Sequence, residues 1–377
     1  MGEFRVSTRI MIGDQLDQLV NDMKKVFVVA DHFLAVSKKV SYVTDRLDRA
    51  GKQYDVFSDM AAEPDLGVVT AGIKRLEALD PDTVICLGGG ASIDAAKAIV
   101  FIARRVNEKY KNIRFIAIPT TSGTGSEVST FAVITDKTTQ TKYPLVDESL
   151  VPDIAVLDAS LVVSAPPKVT GDTGIDVFTH AVEAFVSREH NDFTDAMAIK
   201  SLQLLQNNLL EVYKNPENLH ARQSMHNASC MAGIAFANSG LGLNHGMAHA
   251  MGAHFHIPHG RANGILLPYV MSFNAGCHDH LTPAASRYAE IVAQLGMDSV
   301  GTRQSALMLI RTAKRFMEKM NMPVTIAEAG VTEDDFNAQL DEMAKAALAD
   351  PCTASNPREV TLEDIKTLYR QAFTGRA

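Results

Sequence analysis

The first half of the chain alternates short apolar runs with amphipathic stretches. Runs rich in β-branched residues, which predict strands, lie at 24–30, 54–57, 82–87, 114–118 and 153–157. Helical spacing follows the first run to about residue 50 and recurs over 67–79 and 92–106. Strands that alternate with helices predict a parallel sheet covered on both faces. Two extended runs between Phe131 and Val146 flank a polar stretch and predict a hairpin.

The pattern changes near Pro166-Pro167. Beyond this point the chain consists of long helical stretches rich in Ala, Met, Leu and Gln, with almost no strand-like runs. We therefore expect an α/β, Rossmann-like nucleotide-binding domain over residues 1–170, followed by an all-α domain over residues 171–377. The sequence TLED from Thr361 predicts a capped helix there, after a surface loop at 353–358.

Length and charge narrow the classes of protein. The 377 residues fit two domains, and a net charge of −8 without a basic cluster argues against a nucleic-acid partner. No apolar run reaches the roughly 18 residues of a membrane span, and the N-terminus lacks a signal-peptide pattern, so we expect a cytoplasmic protein. The four cysteines form no CxxC pair, which favours reduced thiols over disulfides or structural zinc.

Two loops at strand ends predict a nucleotide site. Gly88, Gly89 and Gly90 link a strand to a helix, where backbone amides can hold a diphosphate, although a tight turn without a ligand is the alternative. The next strand ends in the hydroxyl-rich loop 119–127, and ligands of open α/β sheets bind at such ends. Asp31 ends the first strand. It can accept hydrogen bonds from ribose hydroxyls, which favours NAD over NADP, or be a solvated turn residue.

A cluster of acidic and imidazole side chains in the helical half predicts a metal site. Asp176 and His180 are spaced i, i+4 and project from one helix face. Five histidines follow within a short segment, at His245, His249, His254, His256 and His259. Carboxylate and imidazole ligands suit divalent iron or zinc. Spacing alone nominates the pair His245 and His249 and leaves the other histidines open.

Four segments together resemble the iron-dependent (group III) alcohol dehydrogenases. They are GGGASIDAAKAI, IPTTSGTGSEV, GIDVFTHAVEAF and GLGLNHGMAHAMGAHFHIPHGRANGILLP, in the order and spacing of that family. The resemblance covers nearly the whole chain. It is closest to the small-alcohol branch, which includes propanol dehydrogenases of propanediol-degrading microcompartments.

The resemblance implies a role for individual residues. The metal ligands it implies are Asp176, His180, His245 and His259, while His249 becomes a catalytic residue near the nicotinamide instead of a ligand. The cofactor-binding residues it implies are Asp31, Gly88, Gly89, Gly90, Asp94, Thr120, Thr121, Thr124 and Lys142. One departure is Ala91, which stands where the family has Ser, with Ser92 following.

The resemblance also implies the reaction. A divalent metal, Fe²⁺ with Zn²⁺ able to substitute, would polarise the oxygen of a short primary alcohol such as 1-propanol or ethanol, and NAD(H) would exchange the hydride. His249 would relay the proton. Phe131 and Phe236 match positions that border the family's substrate pocket, so we expect that pocket to be narrow and apolar; core phenylalanines are the alternative.

Two other functions stay open on the sequence. Relatives of glycerol dehydrogenase and dehydroquinate synthase share the two-domain plan and act on glycerol, other diols or sugar acids. The chain could instead act chiefly as an interaction component, for example as cargo of a bacterial microcompartment that binds the shell or a partner enzyme. The family resemblance further implies a homodimer.

Overall fold

The chain divides into two compact units. The computed structural model describes residues 3–60, 64–137 and 141–376, without the side chains of residues 60, 136, 141, 142 and 144. One unit is Arg5–Ser164, and the other is Ala165–Ala377 with Met1–Phe4. The boundary expected near residue 170 falls just inside the first helix of the second unit, which begins at Pro167.

The first unit contains a six-stranded parallel sheet and a separate hairpin, so the α/β prediction is confirmed. The sheet order is β1-β8-β5-β4-β2-β3. Its strands are β1 (Arg9–Ile12), β2 (Lys25–Asp31), β3 (Gln53–Met60), β4 (Thr83–Gly88), β5 (Arg114–Pro119) and β8 (Ile154–Leu157). The predicted hairpin is the antiparallel pair β6 (Phe131–Asp136) and β7 (Thr141–Val146). The helices are α1 (Asp17–Val20), α2 (His32–Val36), α3 (Ser41–Arg49), α4 (Leu66–Leu79) and α5 (Gly90–Val106).

The central strands are apolar on both faces because each face meets its own hydrophobic cluster. In β2, Phe27 and Val29 join one cluster, whereas Val26, Val28 and Ala30 join the other. This explains why these strands are continuous apolar runs without alternation. The prediction missed β1, a short edge strand with exposed positions at both ends.

One predicted helix is wrong in its extent. The stretch following β2 was expected to be helical as far as about residue 50, but the structure contains two helices there, α2 and α3. Lys38 adopts a left-handed conformation with φ 60°, which interrupts the helical path between them.

The second unit is helical throughout its described residues, as predicted. Its helices are α6 (Pro167–Val186), α7 (Asp192–Lys214), α8 (Leu219–Ser239), α9 (Leu243–Phe255), α10 (His259–Ala275), α11 (Pro283–Gln294), α12 (Thr302–Lys319), α13 (Glu333–Ala349) and α14 (Leu362–Thr374). The predicted cap at Thr361 is present, since Thr361 and Asp364 form a reciprocal capping box. Among the described helices of the chain, none is long and apolar enough to cross a membrane.

Helices α6 and α10 approach each other closely at a glycine. A Cβ on Gly260 would lie 1.9 Å from the carbonyl oxygen of Asp172 and 3.1 Å from Cβ of Asp176. Because the first neighbour is backbone, no side-chain rotation can make room for a methyl group there. The absence of a side chain at Gly260 therefore sets the distance between the two helices.

We expect Gly260→Ala to lower the free energy of unfolding by about 3 kcal/mol, the upper end of the usual range for overpacking. Gly171→Ala on α6 is the matched control, because a Cβ there meets only ordinary contacts at 3.4 Å or more. Chemical denaturation of both variants measures the difference. Equal stabilities would contradict this account of the packing.

Candidate active site

Three helices of the second unit bring four metal-ligand side chains together. Helix α6 presents Asp176 and His180 from one face, α9 contributes His245, and α10 begins at His259. One ligand-type atom of each lies within 4.8 Å of those of the other three. Nε2 of His259 is 3.6 Å from Oδ1 of Asp176, and Nε2 of His245 is 3.9 Å from it. The four residues that the family resemblance implies as ligands thus form one cluster.

The cluster lies mainly in the core. Asp176, His180 and His245 are at most 4% exposed, whereas the side chain of His259 is 41% exposed. Burial raises the pKa of Asp176, although His180 and Asn263 favour its charged form. Burial and the neighbouring histidines hold the pKa of His245 well below its ordinary value. Its imidazole is therefore neutral, which is the form that binds a metal ion.

The amide group of Asn263 lies among these atoms. Its Nδ2 is 2.8 Å from Oδ1 of Asp176, 3.1 Å from Nε2 of His245 and 3.2 Å from Nε2 of His259. Three ligand-type atoms thus converge on a single amide nitrogen. A divalent cation requires the same convergence of a carboxylate and imidazoles, so the donor set fits a metal such as iron or zinc.

Glu183 is a further buried carboxylate beside the cluster, and the sequence analysis missed it. It is 4% exposed, and its Oε2 forms a hydrogen bond with Nδ1 of His245. Burial raises the pKa of Glu183 to about 8, whereas hydrogen bonds from the backbone amides of Asn244, His245 and Gly242 favour its charged form. A cation bound at the cluster would favour the carboxylate further. A signal was available, because Glu183 follows Asp176 and His180 at helical spacing and lies on the same face of α6.

His249 lies one helical turn after His245 but is not part of the four-residue cluster. Its Nδ1 is 2.8 Å from Oδ2 of Asp350, and its ring stacks on that of His259 with centroids 5.3 Å apart. Burial acts to raise the pKa of Asp350, but the interactions with His249 and Cys352 together outweigh it and lower the pKa. Asp350 lies 101 residues from His249, so no local pattern could have paired them.

His249 and Asp350 form a second group with Cys352, whose ligand-type atoms also lie within 4.8 Å of one another. Burial raises the pKa of the Cys352 thiol well above its ordinary value, which opposes the thiolate that a metal requires. In the described structure, His254 and His256 belong to neither group. Phe236, expected at the substrate pocket, lies with its ring centroid 4.6 Å from that of His180.

Asp31 of the first unit lies at the switch point of the sheet, where successive strands of the chain continue on opposite sides of β2. It ends β2, which pairs with β3 on one side and β4 on the other. Its Oδ1 accepts a hydrogen bond of 2.8 Å from the amide of Leu34 and caps α2. Its Oδ2 lies 3.8 Å from where a Cβ on Gly88 would be. Asp31 is therefore a helix cap that also borders the turn formed by Gly88, Gly89 and Gly90, the glycine turn.

The glycine turn and the hydroxyl-rich loop touch each other. The amide of Thr120 donates a hydrogen bond of 3.0 Å to the carbonyl of Gly88. A Cβ on Gly89 would lie 3.4 Å from Thr121, and one on Gly90 would lie 2.7 Å from Thr124. Gly89 is the N-cap of α5 and provides no capping side chain. The amides of the first turn of α5 thus meet the requirement of a diphosphate site.

The same turn shows where Ala91, which replaces the family's Ser, and the following Ser92 lie. Ala91 is exposed, whereas Ser92 is buried and packs so tightly that a Cβ on Gly88 would lie 2.4 Å from its Oγ. The hydroxyl of Ser92 therefore points back into the turn and does not take the exposed position of Ala91.

Asp94, expected to bind the cofactor, uses both carboxylate oxygens within the protein. Oδ1 accepts a hydrogen bond of 2.7 Å from the hydroxyl of Ser126, and Oδ2 accepts one of 3.1 Å from the amide of Val133. Lys97, one turn further along α5, donates to the carbonyls of Ser129 at 2.8 Å and Phe131 at 2.7 Å. Helix α5 therefore holds the segment that leads into β6.

The remaining predicted residues lie on the hairpin. Phe131 begins β6, and its side chain is partly buried. Lys142 lies on β7, and its side chain is outside the described part of the structure.

Comparison with known proteins decides the family. The profile described as "Iron-containing alcohol dehydrogenase" matches residues 7–159, and "Fe-containing alcohol dehydrogenase family, C-terminal" matches residues 170–373. The chain is 39% identical to "1-propanol dehydrogenase PduQ" of Salmonella typhimurium, over 98% of this chain and 100% of that protein. It is 37% identical to "NADPH-dependent butanol dehydrogenase" of Clostridium saccharobutylicum, over 89% and 88%. The iron-containing alcohol dehydrogenase of Thermococcus thioreducens has a similar structure, with a TM-score of 0.90, 33% identity and coverage of 99% and 100%.

The chain belongs to the iron-containing alcohol dehydrogenase family. As an iron-containing alcohol dehydrogenase it is an oxidoreductase that acts on an alcohol or the corresponding aldehyde.

Behind the loop 119–127 of this dehydrogenase lie two buried ionisable groups. Glu127 is 2% exposed and Lys97 is fully buried. Burial raises the pKa of Glu127 to about 7 and lowers that of Lys97 to about 8. Between pH 4.5 and pH 7, Glu127 therefore keeps a proton in the folded chain that it has lost in the unfolded chain. Its contribution to stability is therefore present below pH 4.5 and disappears as the pH rises through 7.

We expect Glu127→Gln to remove this dependence. The free energy of unfolding of the variant, relative to the wild type, should rise by roughly 3 kcal/mol between pH 4.5 and pH 8. Denaturation of both proteins at matched pH values measures this difference. The contributions of Asp94 and Lys97 to the pH dependence largely cancel, because both residues titrate in both proteins. A difference that stays constant with pH would contradict the burial argument.

Proposed function

We propose that this protein interconverts a short primary alcohol, 1-propanol or ethanol, and its aldehyde with NAD(H) as the cofactor. The observation that carries the proposal is the buried cluster of Asp176, His180, His245 and His259. One carboxylate and three imidazoles on rigid helices fit a catalytic divalent metal.

Asp176, His180, His245 and His259 would hold the iron, with Zn²⁺ as a substitute. Bound iron supplies a Lewis acid that polarises the substrate oxygen, and bound NAD(H) supplies the hydride acceptor or donor. The protein contributes three neutral imidazoles and a carboxylate whose charge offsets that of the metal. The buried position of the cluster excludes water from three of the four ligands.

His249 would move the proton. Its Nδ1 is hydrogen-bonded to Asp350, which holds the ring in one orientation and directs Nε2 away from Asp350. An imidazole with a carboxylate on one nitrogen is suited to accept and release a proton on the other. His249 thus acts as the proton relay and Asp350 as its positioning residue.

The nucleotide would bind at the first unit. The turn formed by Gly88, Gly89 and Gly90 opens helix α5, whose N-terminal amides and positive dipole favour a diphosphate. The loop carrying Thr120, Thr121 and Thr124 would border it. The carboxylate of Asp31 would accept hydrogen bonds from the adenosine ribose and repel a 2′-phosphate.

The proposal of a short substrate rests on two aromatic residues and on two relatives. Phe236 packs beside His180, and Phe131 is partly buried at the start of β6. The two named relatives are a 1-propanol and a butanol dehydrogenase. A homodimer and enclosure within a microcompartment stay predictions from the family resemblance. A cytoplasmic location stays a prediction from the sequence.

The proposal is tested by restoring activity to metal-free protein. The enzyme is purified without oxygen and stripped of metal, and NADH absorbance is followed with propanal after Fe²⁺ is added. We expect iron to restore NADH oxidation, and His259→Ala to lower it at least about a hundredfold. Zn²⁺ in place of Fe²⁺ tests the alternative metal.

His254→Ala is the matched control, because His254 lies in the same segment but outside both groups of ligand-type atoms. It should keep most of the wild-type activity. A folded wild-type protein that binds NADH but turns over no short aldehyde with either metal would refute the assignment and favour diol or sugar-acid substrates.

Cofactor choice is tested by Asp31→Asn. Asn keeps an oxygen to cap α2 through the amide of Leu34 but removes the negative charge. Repulsion worth about 1.4 kcal/mol corresponds to a factor of ten, so the ratio of kcat/KM for NADPH to that for NADH should rise about tenfold. An unchanged ratio would show that Asp31 is only a helix cap.

A further inference from the structure

Glu183 contacts both the metal-site histidine and the start of the helix that carries it. Its Oε2 forms a hydrogen bond with Nδ1 of His245. Its Oε1 accepts a hydrogen bond of 2.8 Å from the backbone amide of Asn244, in the first turn of α9. The carboxylate is buried, so no solvent competes for either contact.

Helix α9 depends on this carboxylate because it has no cap of its own. Its N-cap residue is Gly242, which provides no side chain for capping. A Cβ at Gly242 would lie 2.6 Å from Oε1 of Glu183, so only glycine allows the carboxylate to come this close. A negative charge at a helix N-terminus is favoured by the helix dipole.

The other nitrogen of His245 faces the ligand cluster. Nε2 lies 3.1 Å from Nδ2 of Asn263 and 3.9 Å from Oδ1 of Asp176. A carboxylate beside Nδ1 accepts a hydrogen bond from the Nδ1–H group, which leaves the lone pair on Nε2. In metal sites such carboxylate–histidine pairs fix the tautomer and the ring orientation of the ligand.

We propose that Glu183 is the positioning residue of the metal site, which holds His245 in the Nδ1–H tautomer and anchors helix α9 so that Nε2 points at the metal. This inference rests on the proposed function, since it requires the four-residue cluster to bind a metal. It adds to that function a residue outside the ligand set and assigns it a specific effect on metal affinity.

The variant Glu183→Gln separates the two contacts of Glu183. Its amide oxygen can still accept the hydrogen bond from Asn244 and keep much of the cap. Its NH₂ group would then face Nδ1 of His245 and favour the opposite tautomer, with the proton on Nε2. We expect the melting temperature of the metal-free protein to fall only slightly while metal affinity falls about 10- to 100-fold.

Affinity is measured by titrating metal-free protein with Co²⁺ without oxygen and following the ligand-field absorption of the ion. Asp195→Asn is the matched control, because Asp195 is a partly buried carboxylate of the same unit that pairs with Arg287. It should bind Co²⁺ like the wild type. Glu183→Gln protein that binds Co²⁺ with wild-type affinity would overturn the inference. Wild-type protein that gives no ligand-field absorption would instead refute the metal site itself.

Should Glu183→Gln fail to fold, the tautomer is read in the wild type. The Zn²⁺-loaded protein labelled with ¹⁵N-histidine is examined by NMR, and the resonances of His245 are identified by their loss in His245→Gln. A protonated Nδ1 on His245 supports the inference, and an unprotonated Nδ1 overturns it.

Discussion

Burying Asp176 and Glu183 among helices requires partners that replace water. Each carboxylate finds them on a different helix: Asp176 accepts from Asn263 of α10, and Glu183 bonds to His245 and Asn244 of α9. Helix α6 therefore holds α9 and α10 through these buried polar contacts. Because a buried carboxylate without partners is costly, these contacts restrict how the three helices can pack.

The close approach of the helices follows from the same contacts. Gly242 and Gly260 occur where a side chain would collide with Glu183 or with the backbone of Asp172. The ligand side chains can converge only if α6 lies this near to α9 and α10. Glycine at these two positions is thus required for the proposed metal site, although neither residue contributes a ligand atom.

In the first unit, a parallel sheet positions the loops. The loops proposed to bind the nucleotide follow strand ends, so their positions are set by the register of β2, β4 and β5. Asp94 and Lys97 then tie helix α5 to the segment leading into β6. The same helix whose N-terminus is suited to a diphosphate therefore also supports the strand that begins with Phe131.

Local patterns were enough to predict every strand except β1, the helical second half and three of the four residues of the cluster. Spacing placed Asp176 and His180 on one face but nominated His249, whereas the cluster contains His259. Membership of the cluster depends on how α9 and α10 pack, which spacing does not show. Glu183 was detectable from its helical spacing and was overlooked. Asp350 and Asn263 could not be assigned from local spacing alone, since their roles arise from contacts that only the folded chain brings together. The break at Lys38 was missed because a left-handed lysine has no sequence signature.

The central claim is that Asp176, His180, His245 and His259 hold one metal ion. Crystals of protein loaded with Fe²⁺ without oxygen, measured on both sides of the iron absorption edge, test it directly. If these four residues hold the ion, one anomalous peak lies at bonding distance from a carboxylate oxygen of Asp176 and from one nitrogen of each of the three histidines. In His245 that nitrogen is Nε2. A peak held instead by His249, Asp350 and Cys352, or no peak in protein shown to contain iron, would contradict it.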